Sequence, residues 1–245
     1  MTSNIDPTFE ALYGDQSAHR IVPWDIGGPQ PVVQQLVAFG AVRGEVLDPG
    51  TGPGYHAIHF ASHGYSATGI DGSPAAIELA KRNAERAGVQ VNFQVADATR
   101  LDGFEARFDT VVDSAFYHVL TDDEDAQGQY IEALHKATKP GARLFMFEFS
   151  RHNVNGIEFE GVPADNFERV LGAAGWRVDY VGASTYVGIF GPETLAFMTA
   201  MMESRTERAQ RFKELQDRLR VIEPLLDDNH RVHMPAWAVA ATRRD

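Results

Sequence analysis

The sequence contains no cysteine, no long apolar run, and too few basic residues to balance its acidic ones. Without cysteine the chain forms no disulfides, thiolate metal sites or iron–sulfur clusters, and it has no Cys nucleophile. No apolar stretch approaches the ~18 residues that a membrane helix requires, and the first ten residues are polar. We therefore expect neither a signal peptide nor a membrane helix, and we expect a cytoplasmic protein.

The shortage of basic residues disfavours two further classes of partner. The 245 residues include 34 Asp and Glu against 22 Lys and Arg, so the formal net charge is -12. A surface with this charge repels the phosphates of nucleic acids and of anionic membranes. We therefore predict no nucleic-acid partner and no membrane partner, and we expect a monomer or a homodimer.

Segments typical of strands and helices alternate from residue 45 onward. This alternation predicts an α/β fold with a doubly wound, mostly parallel sheet and helices on both faces. The stretch 191–220, which is rich in charges after Met202, predicts one long or broken helix, and a helix of this length is more than a hairpin connection requires. We predict strands at 46–47, 67–70, 91–95, 108–112, 142–149, 176–181 and 236–241. We divide the chain into a lid or lead-in at 1–31, a core at 32–182, a helical insert at 183–233 and a last core strand at 234–245.

A glycine-rich loop, Asp-Pro-Gly-Thr-Gly-Pro-Gly over 48–54, follows the first predicted strand. Gly50 and Gly52 allow the backbone to approach a ligand closely, because a Cβ would intrude there. A dinucleotide is one candidate ligand, but the third glycine of the G-x-G-x-x-G pattern falls on Tyr55. Asp48 would also repel a pyrophosphate. A carboxylate at this place favours a ligand that carries an ammonium group.

Each of the first four predicted strands ends close to an aspartate. Because ligands of a doubly wound sheet bind beyond the carboxyl ends of its strands, we expect these four side chains to lie on one rim. Asp71 follows Gly50 by 21 residues and suits the two hydroxyls of a ribose. A single Asp would only reflect the preference of Asp for loops and helix starts. Four of them behind a glycine loop predict a cofactor site: Asp48, Asp71, Asp97 and Asp113.

These motifs, in this order, resemble those of class I S-adenosylmethionine-dependent methyltransferases. The resemblance extends over 44–149 and includes Gly69-Ile70-Asp71-Gly72-Ser73, with Pro49 as a departure that only fixes φ. It implies a Rossmann-like, seven-stranded sheet with an antiparallel last strand. It also implies S-adenosyl-L-methionine as cofactor and S-adenosyl-L-homocysteine as product.

The resemblance also implies roles for individual residues. The backbone at Gly50 and Gly52 would line the methionine part of the cofactor, and Asp71 would bind the ribose hydroxyls. An acidic rim suits this cofactor because its sulfonium and ammonium groups are cations. The other contacts implied are Asp48 or Asp113 at the ammonium group, Asp97 and Ala98 at the adenine, and Trp24, Thr51, Gly72 and Ser73 around the cofactor.

Three short segments, at 23–31, 113–118 and 234–243, resemble thiopurine-methyltransferase-like enzymes. The set is similar to mycobacterial heterocyclic toxin methyltransferases, which O-methylate N-hydroxyquinolones. This implies detoxification by O-methylation of a small aromatic or heterocyclic acceptor, with an N-hydroxyl or a phenol-like hydroxyl favoured. Aromatic and Met side chains suit a flat ring, although the same residue types also fill cores. The candidate acceptor residues are Tyr13, Trp24, Phe116, Tyr117, Phe149, Tyr186, Met198 and Met202, with Trp24 favoured as a lid.

His118 is the candidate general base, because an unperturbed imidazole has a pKa near ~6.5. An acceptor that is already ionised needs no base, whereas a neutral phenol benefits from one. A histidine that packs or hydrogen-bonds in the following helix explains the residue equally well. His56, His59 and His63 lack a third ligand at zinc-hydrolase spacing, so we predict no metal.

Three alternatives to O-methylation stay open on the sequence. One is methylation of a small molecule at sulfur or nitrogen. A second is a protein that binds S-adenosylmethionine without catalysis. The third, a nucleotide-dependent oxidoreductase, is disfavoured by Tyr55 and Asp48.

Overall fold

Seven strands form one mixed sheet in a computed structural model of the protein, which describes residues 7–14, 22–158, 161–202 and 206–245. Side chains are described for all of these residues except 7–8, 200–202 and 206–212. The strands are β1 Glu45–Pro49, β2 Ser66–Asp71, β3 Asn92–Val95, β4 Phe108–Ser114, β5 Thr138–Phe149, β6 Trp176–Ile189 and β7 Arg231–Arg243. Their order is β3-β2-β1-β4-β5-β7-β6, with β1 to β5 parallel and β7 antiparallel to both of its neighbours. This confirms the predicted fold class.

Helices cover both faces of the sheet. Ser73 begins one of them by accepting a hydrogen bond from the Ala76 N–H, and Gly88 ends it in a left-handed conformation, as predicted from the sequence. The described helices are α1 Pro7–Gly14, α2 Pro31–Ala38, α3 Tyr55–Ser62, α4 Pro74–Ala87, α5 Glu124–Ala137, α6 Ala164–Ala173, α7 Pro192–Met202 and α8 Thr206–Ile222, with 3-10 helices at Tyr117–Leu120 and Glu223–Leu225. None of these helices combines the length and the apolar character needed to cross a bilayer.

The two faces of the sheet bury separate apolar clusters. Successive residues of a strand point to opposite faces, so Leu144 packs with α5 and α6, whereas Phe145 packs with α3 and α4. The cluster beneath α3 and α4 continues to Met198 on α7 and Leu215 on α8. The insert therefore packs on the same face of the sheet as the helix that follows the glycine loop.

The last two strands are much longer than predicted. We expected strands at 176–181 and 236–241, but β6 and β7 pair along their whole length, from Trp176 opposite Arg243 to Ile189 opposite Arg231. Residues 183–189 and 231–233, which the sequence placed in the insert, therefore extend these strands. The strand ends were missed because pairing with a neighbour, rather than local propensity, stabilises such segments.

Candidate active site

The glycine loop forms a tight cradle between β1 and α3. Gly50, Gly52 and Gly54 all have positive φ angles, of 65°, 49° and 81°, which disfavour residues with a Cβ. A Cβ on Gly50 would lie 2.4 Å from the Phe116 ring. The Thr51 N–H donates to the Ile70 carbonyl at 2.8 Å, which fixes the loop to the end of β2. The loop thus presents its backbone, rather than side chains, to the rim of the sheet.

Asp48 is a fully buried carboxyl beneath this loop. Its Oδ2 accepts hydrogen bonds from the Thr51 hydroxyl at 2.5 Å and from the Ala57 N–H at 3.2 Å. His56 Nδ1 lies 3.9 Å from its Oδ1. Burial raises the pKa of Asp48 to about 7, and burial lowers the pKa of His56 to about 4. The carboxyl therefore becomes charged most readily when a cation lies beside it.

Asp71 connects the loop to the start of α4. Its Oδ2 accepts from the Gly52 N–H and its Oδ1 from the Ser73 N–H, each at 2.9 Å. Glu10 of α1 reaches the same helix start, where its carboxylate accepts from the Ser73 hydroxyl at 2.5 Å. Burial raises the pKa of Asp71, and the charge of Glu10 raises it further. Sequence reasoning did not identify Glu10, because it lies 63 positions from Ser73 and no local pattern joins them.

The predicted adenine contacts lie on the loop after β3. Asp97 is exposed, and its Oδ1 accepts from the N–H of Thr99 at 2.9 Å and from the Thr99 hydroxyl at 2.6 Å. The Ala98 side chain is buried in the cluster on the α5 face. Gly72, beside Asp71, is exposed. The contacts of these residues with a cofactor stay a prediction.

Asp113 and Glu148 form a buried pair of carboxyl groups at the ends of β4 and β5, each 0% exposed. Asp113 Oδ2 accepts from the Tyr130 hydroxyl at 2.7 Å, and the two carboxyl groups are hydrogen-bonded to each other. Burial raises the pKa of Asp113 well above its usual value, and the charge of Glu148 raises it further. Burial also raises the pKa of Glu148, to about 7. Because two carboxyl groups hydrogen-bonded to each other cannot both ionise readily, the pair shares a proton. Sequence reasoning did not single out Glu148, although an acid inside the apolar run 144–149 was an available signal.

His118 lies on the 3-10 helix that follows β4. Ala115 before it has a φ of 61°, a left-handed conformation that turns the chain so that N–H groups of this segment face the two carboxyl groups. His118 Nδ1 lies 3.1 Å from Glu148 Oε2, and the His118 side chain is 32% exposed. Burial lowers the pKa of His118 to about 4, so the ring is neutral at neutral pH.

The N-terminal segments cover the glycine loop with aromatic side chains. The rings of Phe9 and Trp24 lie 6.3 Å apart, and the Trp24 indole N–H hydrogen-bonds the Tyr13 hydroxyl. That hydroxyl would lie 2.9 Å from a Cβ on Gly52. Burial raises the pKa of Tyr13, so this hydroxyl stays protonated. The structure thus places Tyr13 and Trp24, both predicted site residues, at the loop.

Three predicted acceptor residues lie on the face that carries the insert. The ring of Phe149 lies 4.9 Å from the His118 ring and 5.9 Å from the Tyr186 ring. The Ser114 hydroxyl donates to the Tyr186 hydroxyl at 3.3 Å, and Met198 belongs to the same apolar cluster as Tyr186. Another, Phe116, lies against the glycine loop and packs with the cluster on the α5 face.

Tyr117 lies away from this group. It is buried on the opposite face, and its hydroxyl contacts Gln127 and Asn166, each at 2.7 Å. Its contacts are therefore those of a core residue. The side chain of Met202 lies outside the described residues.

The three histidines of α3 do not converge. His56 Nε2 accepts from the Gln30 N–H at 3.2 Å, whereas the rings of His59 and His63 lie 4.3 Å apart. Within the described residues, no group of three or more His, Asp or Glu side chains forms a candidate metal site.

This chain is similar in sequence to known methyltransferases. The family described as "Methyltransferase domain" matches residues 46–141. The chain is 36% identical over 155 residues to a 2-heptyl-1-hydroxyquinolin-4(1H)-one methyltransferase of Mycobacteroides abscessus. That match covers 62% of this chain and 67% of the relative. The family region contains the glycine loop and the ends of β1, β2, β3 and β4.

Two solved structures show the same fold. One, from work on the conversion of a disulfide bond into a thioacetal group during echinomycin biosynthesis, has a TM-score of 0.73 and 28% identity, and covers 97% of this chain and 92% of that chain. The other is a 1,6-didemethyltoxoflavin-N1-methyltransferase of Burkholderia thailandensis with bound 1,6-didemethyltoxoflavin and S-adenosylhomocysteine. Its TM-score is 0.55 at 19% identity, with 88% of this chain and 77% of that chain covered.

Proposed function

Because this chain belongs to the S-adenosylmethionine-dependent methyltransferases, we propose that it methylates the hydroxyl of a small aromatic or heterocyclic acceptor. An N-hydroxyquinolone or a phenol-like hydroxyl is the favoured acceptor. The relative from Mycobacteroides abscessus is named for a hydroxyquinolone, which supports this choice. A cytoplasmic location, a role in detoxification and a monomeric or homodimeric state remain predictions from the sequence.

The glycine cradle above a buried carboxyl is the observation that carries the proposal. Glycine at positions 50 and 52 lets the Phe116 ring and the Tyr13 hydroxyl pack within 3 Å of where a Cβ would lie, so aromatic side chains border the exposed backbone of the loop. Asp48 supplies a carboxyl for an ammonium group, and Asp71 supplies acceptors for ribose hydroxyls. Three buried carboxyl groups at one rim suit a cation and disfavour a pyrophosphate. The residues present therefore fit S-adenosylmethionine.

The bound cofactor supplies a methyl group on a sulfonium, which an acceptor oxygen attacks in line. The contribution of the protein is to hold the acceptor oxygen in that line, since orientation supplies much of the rate. Phe149 and Tyr186 provide flat surfaces beside His118, and Trp24 is held at the glycine loop by its hydrogen bond to Tyr13. We propose that these rings hold a planar acceptor against the cradle and keep water out.

We propose that the chain's segments divide this work. Residues 1–31 act as a lid over the cofactor, the seven-stranded sheet and its flanking helices form the cofactor-binding core, and α7 and α8 of the insert close the acceptor side. The packing of α1 on α4 through Tyr13, Ala76 and Leu79 supports the first assignment. The position of Met198 in the cluster of Tyr186 supports the last.

Calorimetry and a methyl-transfer assay test the proposal together. We expect binding of S-adenosylmethionine and S-adenosylhomocysteine, no binding of NAD, and methyl transfer within a panel of hydroxyquinolones, phenols and thiols. Asp71→Ala should weaken cofactor binding at least about tenfold, since it removes charged hydrogen-bond acceptors. Glu132→Ala, which removes an exposed acid paired with Lys136, is the matched control and should leave affinity unchanged.

Each alternative predicts a different outcome. Binding of NAD instead of S-adenosylmethionine and S-adenosylhomocysteine would overturn the assignment of the site to S-adenosylmethionine. Tight cofactor binding without transfer to any acceptor would favour a binding protein. Transfer confined to thiols or ring nitrogens would keep the enzyme class and overturn the choice of oxygen. Unchanged affinity in Asp71→Ala would remove the ribose assignment.

A further inference from the structure

Glu148 is a buried acid whose N–H donors come from the segment that carries His118. Its Oε1 accepts from the Tyr117 N–H at 3.0 Å, and its Oε2 accepts from the His118 N–H at 3.2 Å. The same Oε2 lies 3.1 Å from His118 Nδ1. A carboxylate removed from water this completely requires such donors. Glu148 thus holds both the backbone and the ring of His118.

The backbone donors determine which way this contact runs. Both oxygens of Glu148 accept backbone N–H groups, from Tyr117 and from His118, so Glu148 acts as a hydrogen-bond acceptor toward this segment. The imidazole must therefore carry its hydrogen on Nδ1 and donate it to Glu148. Nε2 is then the basic nitrogen, and it makes no hydrogen bond with any residue that the structure describes.

His118 Nε2 belongs to a ring that lies beside Phe149 and Tyr186, the two rings proposed to contact the methyl acceptor. The His118 ring meets the edge of Phe149 at 4.9 Å, and Phe149 meets Tyr186 at 5.9 Å. The His118 side chain is 32% exposed, so a ligand can reach it. The core residue Tyr117, next in the chain, turns to the other face of the sheet.

We propose that Glu148 is a positioning residue that fixes His118 as the general base, so that the acceptor enters the site as a neutral hydroxyl. This inference rests on the proposed function. The acceptor hydroxyl gives its proton to His118 Nε2, and its oxygen electron pair forms the new O–C bond. The S–C bond breaks, and its electron pair stays on sulfur. The negative charge of Glu148 stabilises the imidazolium until water takes the proton, as a carboxylate does for histidine in hydrolytic triads.

Three variants assayed on two acceptors test this inference. The acceptors are a weakly acidic phenol and an acidic N-hydroxyquinolone, the latter assayed above its own pKa. In Glu148→Gln and His118→Ala, kcat for the phenol should fall about 10²-fold, the usual worth of a general base. The KM for the cofactor should change less than about twofold, and kcat for the ionised N-hydroxyquinolone should change little. His63→Ala, which removes an exposed histidine just after α3, is the control.

Added imidazole distinguishes a base from a packing residue. It should restore part of the phenol activity of His118→Ala, because it fills the space of the missing ring, and it should not restore Glu148→Gln. Equal losses on both acceptors, or no rescue of His118→Ala, would overturn the inference while methyl transfer by the wild-type protein still upheld the proposed function. An unfolded Glu148→Gln, detected by its thermal melt, leaves the His118→Ala result to decide.

Discussion

Burying a carboxyl group is costly unless neighbouring groups replace its hydration, and this rim buries three of them almost completely. Asp48 receives two hydrogen bonds, and Glu148 and Asp113 collect the N–H groups of the segment after β4. These bonds lower the cost of burial without removing it, which is why the pKa values of all three are raised. A cation bound beside these carboxyl groups would stabilise their charged forms, which the hydrogen bonds of the protein do only in part.

Cofactor affinity should therefore depend on pH through Asp48. The pKa of about 7 means that the carboxyl is neutral below that pH, and a bound ammonium group favours the charged form. Binding then releases a proton, so affinity for S-adenosylmethionine should rise by up to about tenfold between about pH 6 and pH 7.5 and then level off. Titration calorimetry in buffers of different ionisation enthalpy measures both the affinity and the proton release.

Two comparisons separate Asp48 from its titratable neighbours Asp71, Asp113 and His56. In Asp48→Asn the rise in affinity over this pH range should disappear. 5′-Methylthioadenosine, which lacks the ammonium group, should show a nearly constant affinity with the wild-type protein. A persistent rise in either experiment would assign the titration to another group.

At the scale of elements, the lead-in is attached to the free edge of β6. Gln30, 1% exposed, acts like one residue of an additional strand: its Nε2 donates to the Val187 carbonyl at 2.8 Å, and its Oε1 accepts from the Val187 N–H at 2.9 Å. The Ile189 N–H donates to the Pro23 carbonyl at 2.8 Å. Exposed strand edges attract pairing partners, and here the protein's own segment satisfies part of the edge. The same bonds determine where Trp24 lies.

Gln30→Ala should loosen this lid while the core stays folded. The variant leaves the N–H and the carbonyl of Val187 without partners, a loss of about 1–3 kcal/mol for each buried group. We expect a severalfold higher KM for the acceptor and faster proteolysis within residues 1–31, measured by initial rates and by mass spectrometry of the fragments. Gln34→Ala, which removes an exposed side chain bonded to Pro29, is the matched control. Proteolysis at the wild-type rate would show that the lid is held elsewhere.

On the scale of the whole molecule, the binding site joins segments that are far apart in the chain. The cradle follows β1, its acids end β1, β2, β4 and β5, and its cover comes from the N-terminal segments. A ligand held by all of them binds the folded chain and has no comparable site in the unfolded one. Such binding stabilises the entire fold by mass action.

Thermal unfolding should report this coupling. S-Adenosylhomocysteine at 100 times its Kd should stabilise the protein by about 2.7 kcal/mol, which corresponds to roughly 5–10 °C in Tm for a chain of this length. NAD at the same concentration should leave Tm unchanged. Asp71→Ala should show a smaller increase with S-adenosylhomocysteine at equal concentration. An equal shift in Tm with NAD would mean that the site does not discriminate between S-adenosylhomocysteine and NAD.

Local sequence patterns were sufficient for most of the core fold. Pro74 after Ser73 determined where α4 begins, and the glycines after Asp48 identified a loop that admits a backbone approach. The alternation of strand and helix predicted the parallel sheet and its helices. The ends of β6 and β7 were not predicted, because their residues are held in strands by pairing with each other.

What the sequence by itself determined is the class of fold, the glycine loop and the acids at the strand ends, because each depends on residues close together in the chain. Only the tertiary structure decided which distant groups meet. Glu148 lies 30 positions from His118, and Gln30 lies 157 positions from Val187. Such contacts depend on the order of strands in the sheet and on how the N-terminal segments pack, and no short pattern encodes either. The positions of the proposed base and lid therefore depend on tertiary packing, whereas the cofactor loop can be identified from the local sequence.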